Sequence, residues 1–153
     1  MQEKWEAGVI DPLTEGDWVR INEGVTKVST KARFKLTQYN YVHQVHLTPK
    51  RLHVIYPDRD PACPRCGGLE ADFLHMVWRC PKLQVFWRGV VGELSGLTTW
   101  ALPLEVKGIL LGLIPNPEPF LVFRKFIMLD LVLAKRRIAI RWLSGDPPRV
   151  EDW

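Results

Sequence analysis

The sequence lacks the features that mark disulfide-bonded, membrane-spanning and secreted proteins. Its 153 residues include 3 cysteines, too few and too clustered for a disulfide framework. No run of about 18 apolar residues occurs, and the most apolar segment, 126–134, is interrupted by Asp130, which argues against a membrane span. The N-terminus has no apolar stretch behind a basic head, so we expect no secretory signal. These absences predict an intracellular protein of the cytoplasm or nucleus, with one domain and no membrane partner.

Acidic residues are absent from residues 24–57, although this segment carries six of the 21 lysines and arginines. Three of the four histidines, His43, His46 and His53, also lie in it. The formal net charge of the whole chain is only +4, so the positive charge is concentrated in one segment. Such a segment is typical of a polyanion-binding face, although a solvated helix surface gives the same pattern.

The spacing of apolar residues predicts an all-α fold, and a hydrophobic fraction of 46% is enough for a packed core. We expect one domain in three parts: a helical basic segment at 1–56, a metal knuckle with its following helix at 57–96, and a helical segment at 97–153 whose last residues resemble the beginning of another element. The alternation of polar and apolar residues at 33–37 would also fit a strand at that position. The predicted helices begin with a short one capped by Asp17 and broken near Gly24, and continue over 27–47, 50–56, 72–78, 81–96, 103–111 and 119–143.

All three cysteines and one histidine fall within 18 residues, in the order Cys63, Cys66, His75 and Cys80. Structural zinc takes four thiolate or imidazole ligands in a closed tetrahedron, and the spacing C-x2-C-x8-H-x4-C supplies such a set. The alternatives are a redox pair, for which the βαβ context is missing, and three unrelated core cysteines. We predict one structural zinc ion, which leaves no open position for catalysis, and a domain organised around this knuckle.

Motif residues along nearly the whole chain resemble those of a known family. They include Lys4-Trp5-Glu6, Tyr39-Asn40-Tyr41, Leu47-Thr48-Pro49-Lys50-Arg51-Leu52, Cys63-x-x-Cys66-Gly67, Phe73-Leu74-His75-x-x-Trp78-x-Cys80-Pro81, Phe86-Trp87 and Glu151-x-Trp153. This pattern is similar to the zinc-binding C-terminal region of reverse transcriptases from LINE-type (non-LTR) retrotransposons. The resemblance implies a module that grips template RNA or an RNA–DNA hybrid during target-primed reverse transcription.

Catalytic residues of such a polyprotein are missing from this chain. A polymerase needs paired aspartates to hold two metal ions, and the sequence has no Asp-Asp pair. The nearest arrangement, Asp58-Arg59-Asp60, lies between two prolines and is typical of a polar loop. We therefore expect no enzymatic activity and no small-molecule substrate. Two hypotheses remain, an RNA-binding or RNA–DNA hybrid-binding module and a structural or protein-interaction module that braces the polymerase domain of a parent protein.

Basic residues of the acid-free segment and of the knuckle are the predicted nucleic-acid contacts. Lysines at 27, 31 and 35 recur every four residues and would share one helical face, and the basic residue inside the C-x2-C turn has no apolar role. Trp87 and Trp142 are predicted core residues, whereas Trp78 is either core or a stacking platform for an unpaired base. The predicted contacts are Lys27, Lys31, Lys35, Lys50, Arg51 and Arg65.

Overall fold

The structure is a computed structural model that describes residues 4–5, 11–115 and 121–153. These residues form helices and connecting loops with no strand, which confirms the all-α prediction and excludes a strand at 33–37. The helices are α1 (Glu15–Lys27), α2 (Ala32–Val42), α3 (Pro49–Ile55), α4 (Pro81–Thr98), α5 (Val106–Ile109) and α6 (Leu121–Ile140), with a π-helical turn at His75–Arg79 and a 3-10 turn at Val150–Asp152.

Helix α1 begins earlier and ends later than predicted. Its N-cap is Thr14, whose hydroxyl accepts a hydrogen bond from the Asp17 amide at 3.1 Å, while the Asp17 carboxylate accepts one from the Thr14 amide at 2.9 Å. This reciprocal pair is a capping box, so Asp17 is the third helical residue and not the cap. The predicted break near Gly24 is wrong, because one glycine in a helix costs only about 1 kcal/mol.

The predicted helix over 27–47 is also wrong, because a break separates α1 from α2. Lys27 is the last residue of α1, and Lys31 is the extended N-cap of α2, with Ser29 between them accepting a hydrogen bond from the Lys31 amide at 3.1 Å. Lys27, Lys31 and Lys35 therefore do not share a face of one helix. Helix α2 ends at Val42, and Gln44 follows in the left-handed region with a φ of 50°.

Helix α2 packs against α1 and α6, and α4 packs against α6 and the π-helical turn. The predicted apolar face of α4 is confirmed, because Leu83, Phe86, Trp87, Val90 and Leu94 are all buried. On α6 the predicted face is buried at Ile127, Leu131, Ala134 and Ile138.

The ends of that α6 face depart from the prediction. Phe123 is exposed, and Phe120 lies outside the described residues. Trp142 follows the end of the helix and is half-buried, and its indole donates to the Leu47 carbonyl at 2.7 Å. Among the described residues, no helix combines the length and the apolarity needed to cross a bilayer.

Candidate metal centre

The first two candidate ligands come from a tight turn that is held by backbone hydrogen bonds. The Gly67 amide donates to the Cys63 carbonyl, and the Cys63 amide donates to the Gly68 carbonyl, both at 2.8 Å. Gly67 has a φ of +72°, a left-handed conformation that glycine adopts without steric cost. The turn therefore places the Cys63 and Cys66 thiols on one side, as the C-x2-C spacing predicts.

The other two candidate ligands bracket the π-helical turn. The Asp72 carboxylate caps this turn by accepting a hydrogen bond from the His75 amide at 2.7 Å. The Cys80 amide donates to the His75 carbonyl at 3.1 Å, which is the five-residue bond of a π-helix. In a regular α-helix, residues five apart point about 140° away from each other. The wider turn thus brings Cys80, the N-cap of α4, to the same side as His75.

The four ligand atoms lie within 4.8 Å of one another, close enough to hold one metal ion. The sulfurs of Cys63 and Cys80 are 3.9 Å apart, and the Cys66 sulfur is 3.3 Å from His75 Nε2. Ligands at zinc distances of about 2.3 Å for sulfur and about 2.0 Å for nitrogen stand about 3.5–3.8 Å apart in a tetrahedron. A disulfide would require about 2.05 Å. The spacing therefore fits metal ligands and excludes a disulfide between Cys63 and Cys80.

Burial and hydrogen bonding shift the pKa values of three of these groups. Burial lowers the pKa of His75, which favours the neutral imidazole that binds metals. Burial raises the pKa of the Cys80 thiol. Burial also acts to raise the pKa of Cys66, but the Gly68 amide and the neighbouring thiols outweigh it and leave that pKa lowered. Cys66 thus forms the thiolate, the ligating form, more readily than Cys80 does.

Gly68 lets the backbone approach the ligands closely. Its amide donates to the Cys66 sulfur at 3.4 Å. A β-carbon at this position would lie 3.0 Å from His75 Cε1 and 3.3 Å from the Cys66 sulfur. With any larger residue here, the imidazole or the thiol would therefore have to shift by a few tenths of an ångström.

Side chains satisfy three consecutive carbonyl groups at the end of the π-helical turn. Such terminal carbonyls have no partner within the helix itself. The Met76 carbonyl accepts a hydrogen bond from Arg65 at 2.7 Å. The carbonyl of Val77 accepts one from the Trp87 indole at 2.8 Å, and that of Trp78 accepts one from Gln84 at 2.6 Å. The turn that carries two ligands is thus braced from both the knuckle and α4.

The prediction that Arg65 contacts phosphate is wrong, because its side chain is only 2% exposed. Besides the Met76 carbonyl, its guanidinium donates to the carbonyls of Arg141 and Trp142, both at 3.4 Å. An arginine has five N–H donors and can bridge several carbonyls. Arg65 therefore ties the knuckle to the π-helical turn and to the residues after α6. The sequence carries no signal for this role, because the acceptors are backbone atoms distant along the chain.

The remaining predicted contacts lie on separate elements. Lys27 on α1 forms an exposed ion pair with Glu23 at 2.7 Å, and Lys50 on α3 forms one with Glu70 at 3.0 Å. Of the other three predicted contacts, Lys31 follows α1 and is exposed, Lys35 lies on α2 and is half-buried, and Arg51 lies on α3 and is exposed.

No known protein-family model matches the chain. The cluster of Cys63, Cys66, His75 and Cys80 and the exposed basic residues are therefore the observations from which a function is inferred. The cluster is the more specific of the two, because four metal-binding atoms seldom converge by chance, whereas exposed lysines are common on protein surfaces.

Proposed function

We propose that this chain is a non-catalytic module that holds one structural zinc ion and binds RNA or an RNA–DNA hybrid. The observation that carries the metal assignment is the convergence of three thiols and one imidazole within 4.8 Å. Thiolate and imidazole ligands in a tetrahedral set favour zinc over magnesium or calcium. With four protein ligands the ion would have no open position, so its role is to join the knuckle, the π-helical turn and the start of α4.

The proposed nucleic-acid contact rests on the acid-free segment 24–57. Lys31 and Arg51 are exposed and form no ion pair within the described part of the chain. The ion pairs of Lys27 and Lys50 are exposed, and such pairs contribute little to stability, so a phosphate can replace the carboxylate. The resemblance to LINE-type reverse transcriptases supports the same reading, in which the module would act beside a polymerase domain of a parent protein.

A second function, bracing that polymerase domain by protein contact, is favoured by exposed apolar side chains at the end of α3. Val54 is 76% exposed, Ile55 51% and Tyr56 55%. Contiguous exposed apolar residues of this kind are typical of protein interaction sites. In this alternative the zinc ion has the same structural role, but the basic residues serve solubility only.

Metal analysis of the purified chain, followed by titration with single-stranded RNA at two salt concentrations, tests the proposal. We expect one zinc ion per chain and, if about four side chains contact phosphate, a slope of about −3 for log affinity against log salt. A variant with Lys31, Lys35, Lys50 and Arg51 changed to Gln should bind more weakly and with a flatter slope. It should lose affinity for all sequences about equally, since phosphate contacts carry no sequence information.

A matched control changes to Gln four exposed or half-buried arginines outside the acid-free segment, namely Arg88, Arg136, Arg137 and Arg149. This variant has the same net charge as the first one and should retain most of the affinity. Equal binding by the first variant and the parent would favour the bracing function. Absence of RNA binding by the parent at physiological salt would do the same.

A further inference from the structure

A cleft of about 350 Å³ opens between α1 and the N-terminal half of α6. This volume lies in the range of protein pockets that hold small organic groups. Its walls are the side of α1 that includes Arg20 and Lys27, and the part of α6 that includes Arg124 and Lys125. Of these residues, only Lys27 belongs to the acid-free segment.

Among the residues that the structure describes, four basic side chains and one acidic side chain, Glu23, line this cleft. The side chains of Arg124 and Lys125 form no ion pair within the described part of the chain. Lys27 pairs with Glu23 and Arg20 pairs with Asp17, but the two basic side chains are 72% and 66% exposed. Exposed pairs are weak and exchange readily. The cleft therefore has a positive rim that is available to an anion.

The floor of the cleft is apolar, in contrast to its rim. It includes Val28, at the end of α1, and Met128, on α6. The Met128 side chain lies directly over Gly112, where a β-carbon would be 2.6 Å from the methionine methyl group. Gly112 also has a φ of +79°, which disfavours any other residue. The sulfur and methyl group of Met128 are thus held against the backbone of Gly112, and thioethers make favourable contacts with aromatic rings.

We propose that this cleft binds one nucleotide of a single-stranded nucleic acid, with the base against Met128 and Val28 and the adjacent phosphates between Arg20, Lys27, Arg124 and Lys125. The inference rests on the proposed nucleic-acid-binding function and gives it a specific site. A flat aromatic base fits the apolar floor, and phosphates fit a rim with four cations. A base-paired strand keeps its bases stacked inside the duplex and cannot reach the floor.

Methyl NMR of the zinc-loaded chain labelled with [13C-methyl]methionine tests the proposal directly. The sequence has only 3 methionines, and the variant Met128→Leu assigns the signal of the cleft. Met76 is fully buried in the core and serves as the internal control. On titration with a short single-stranded oligouridine, we expect the Met128 methyl signal to shift and the Met76 signal to stay. A duplex of the same length should move the Met128 signal far less, and an equal shift would overturn the assignment to an unpaired base.

The paired variants Arg124→Gln/Lys125→Gln and Arg136→Gln/Arg137→Gln separate the cleft from general positive charge. Each variant removes two neighbouring basic side chains from α6, and the two pairs are about 18 Å apart along the helix. Both variants lower the net charge by the same amount. The first should reduce RNA affinity about tenfold, flatten the salt slope by about 1.4, and abolish the Met128 shift. The second should do none of these.

The outcomes distinguish the cleft from the wider function. If the parent binds RNA but both double variants bind it equally well and Met128 does not shift, the cleft assignment is overturned while nucleic-acid binding stands. If the parent binds no RNA at physiological salt, the proposed function fails, and the cleft assignment fails with it.

Discussion

Two basic side chains, Arg65 and Lys135, lie inside the fold, with 2% and 0% of their surface exposed. Both are paired with neutral acceptors. Lys135 donates from Nζ to the Gln38 side-chain oxygen at 2.7 Å and to the Leu110 carbonyl at 2.9 Å, and no ion pair is found for it in the described ranges. A buried ammonium without a carboxylate loses hydration that these two hydrogen bonds replace only in part. Burial therefore lowers the pKa of Lys135 to about 7.

The lowered pKa of Lys135 predicts that stability rises with pH. Between about pH 7 and about pH 10 the unfolded chain holds a proton on this lysine that the folded chain has released, so the free energy of unfolding increases across that window, by several kcal/mol in order of magnitude. Below about pH 7 the lysine is protonated in both states and its contribution no longer changes. Urea unfolding of the zinc-saturated parent and of Lys135→Met, measured across this window, should show the rise in the parent only.

The exposed lysine Lys125 on α6 supplies the control for this measurement. Its replacement in Lys125→Met removes the same group from the surface and should leave the pH dependence of the parent unchanged. The idea is refuted if Lys135→Met retains the full dependence, because the titrating group would then lie elsewhere.

At the scale of elements, α4 connects the cluster of cysteine and histidine side chains with the core. Its N-cap is Cys80 and its buried face packs against α6 and the π-helical turn. Trp87 belongs to the core and also contacts the π-helical turn, because its ring is fully buried and its indole donates to the Val77 carbonyl at 2.8 Å. Packing and hydrogen bonding on this one residue thus hold the ligand-bearing turn against the helix.

Substitutions of Trp87 separate these two contributions. Trp87→Ala removes the ring and should lower the free energy of unfolding by about 3–5 kcal/mol. Trp87→Phe keeps most of the ring but leaves the Val77 carbonyl without its donor, which should cost about 1–3 kcal/mol. Leu97→Ala, at an exposed position of the same helix, should change stability by less than about 0.5 kcal/mol. Urea denaturation measures all three, and a Trp87→Ala protein as stable as the Leu97→Ala protein would refute the core assignment.

Elements with a long periodic pattern of apolar residues were predictable from the sequence, whereas a helix end and a buried polar side chain were not. The buried face of α4 follows from its helical spacing, and the ligand cluster follows from the spacing of Cys63, Cys66, His75 and Cys80. The break between α1 and α2 was missed, because no glycine or proline marks it and the N-cap of α2, Lys31, has no capping side chain that the sequence could show. The burial of Arg65 was missed because its partners are backbone carbonyls, which sequence does not distinguish.

For the whole molecule, a metal in the cluster would add a further link between segments that Arg65 and Trp87 already connect by hydrogen bonds. Cys63 and Cys66 come from the loop after α3, His75 begins the π-helical turn, and Cys80 caps α4. Since α4 packs on α6 and α6 packs on α2, loss of the metal would weaken the whole fold and not only the knuckle. Zinc binding to sites of this kind is coupled to folding and contributes on the order of 10 kcal/mol.

The combination of Cys66→Ser with a strong chelator tests whether the cluster stabilises the fold through a metal. Cys66 is half-buried, so a serine there retains partial access to water. In the zinc-loaded state, this variant should unfold at a Tm lower than that of the parent by about 10 °C or more, measured by circular dichroism. In excess chelator, parent and variant should unfold at nearly the same temperature, because the ligand that the mutation removes has no metal to bind. If the mutation lowers the Tm equally with and without chelator, Cys66 stabilises the fold by packing alone, and the zinc assignment is refuted.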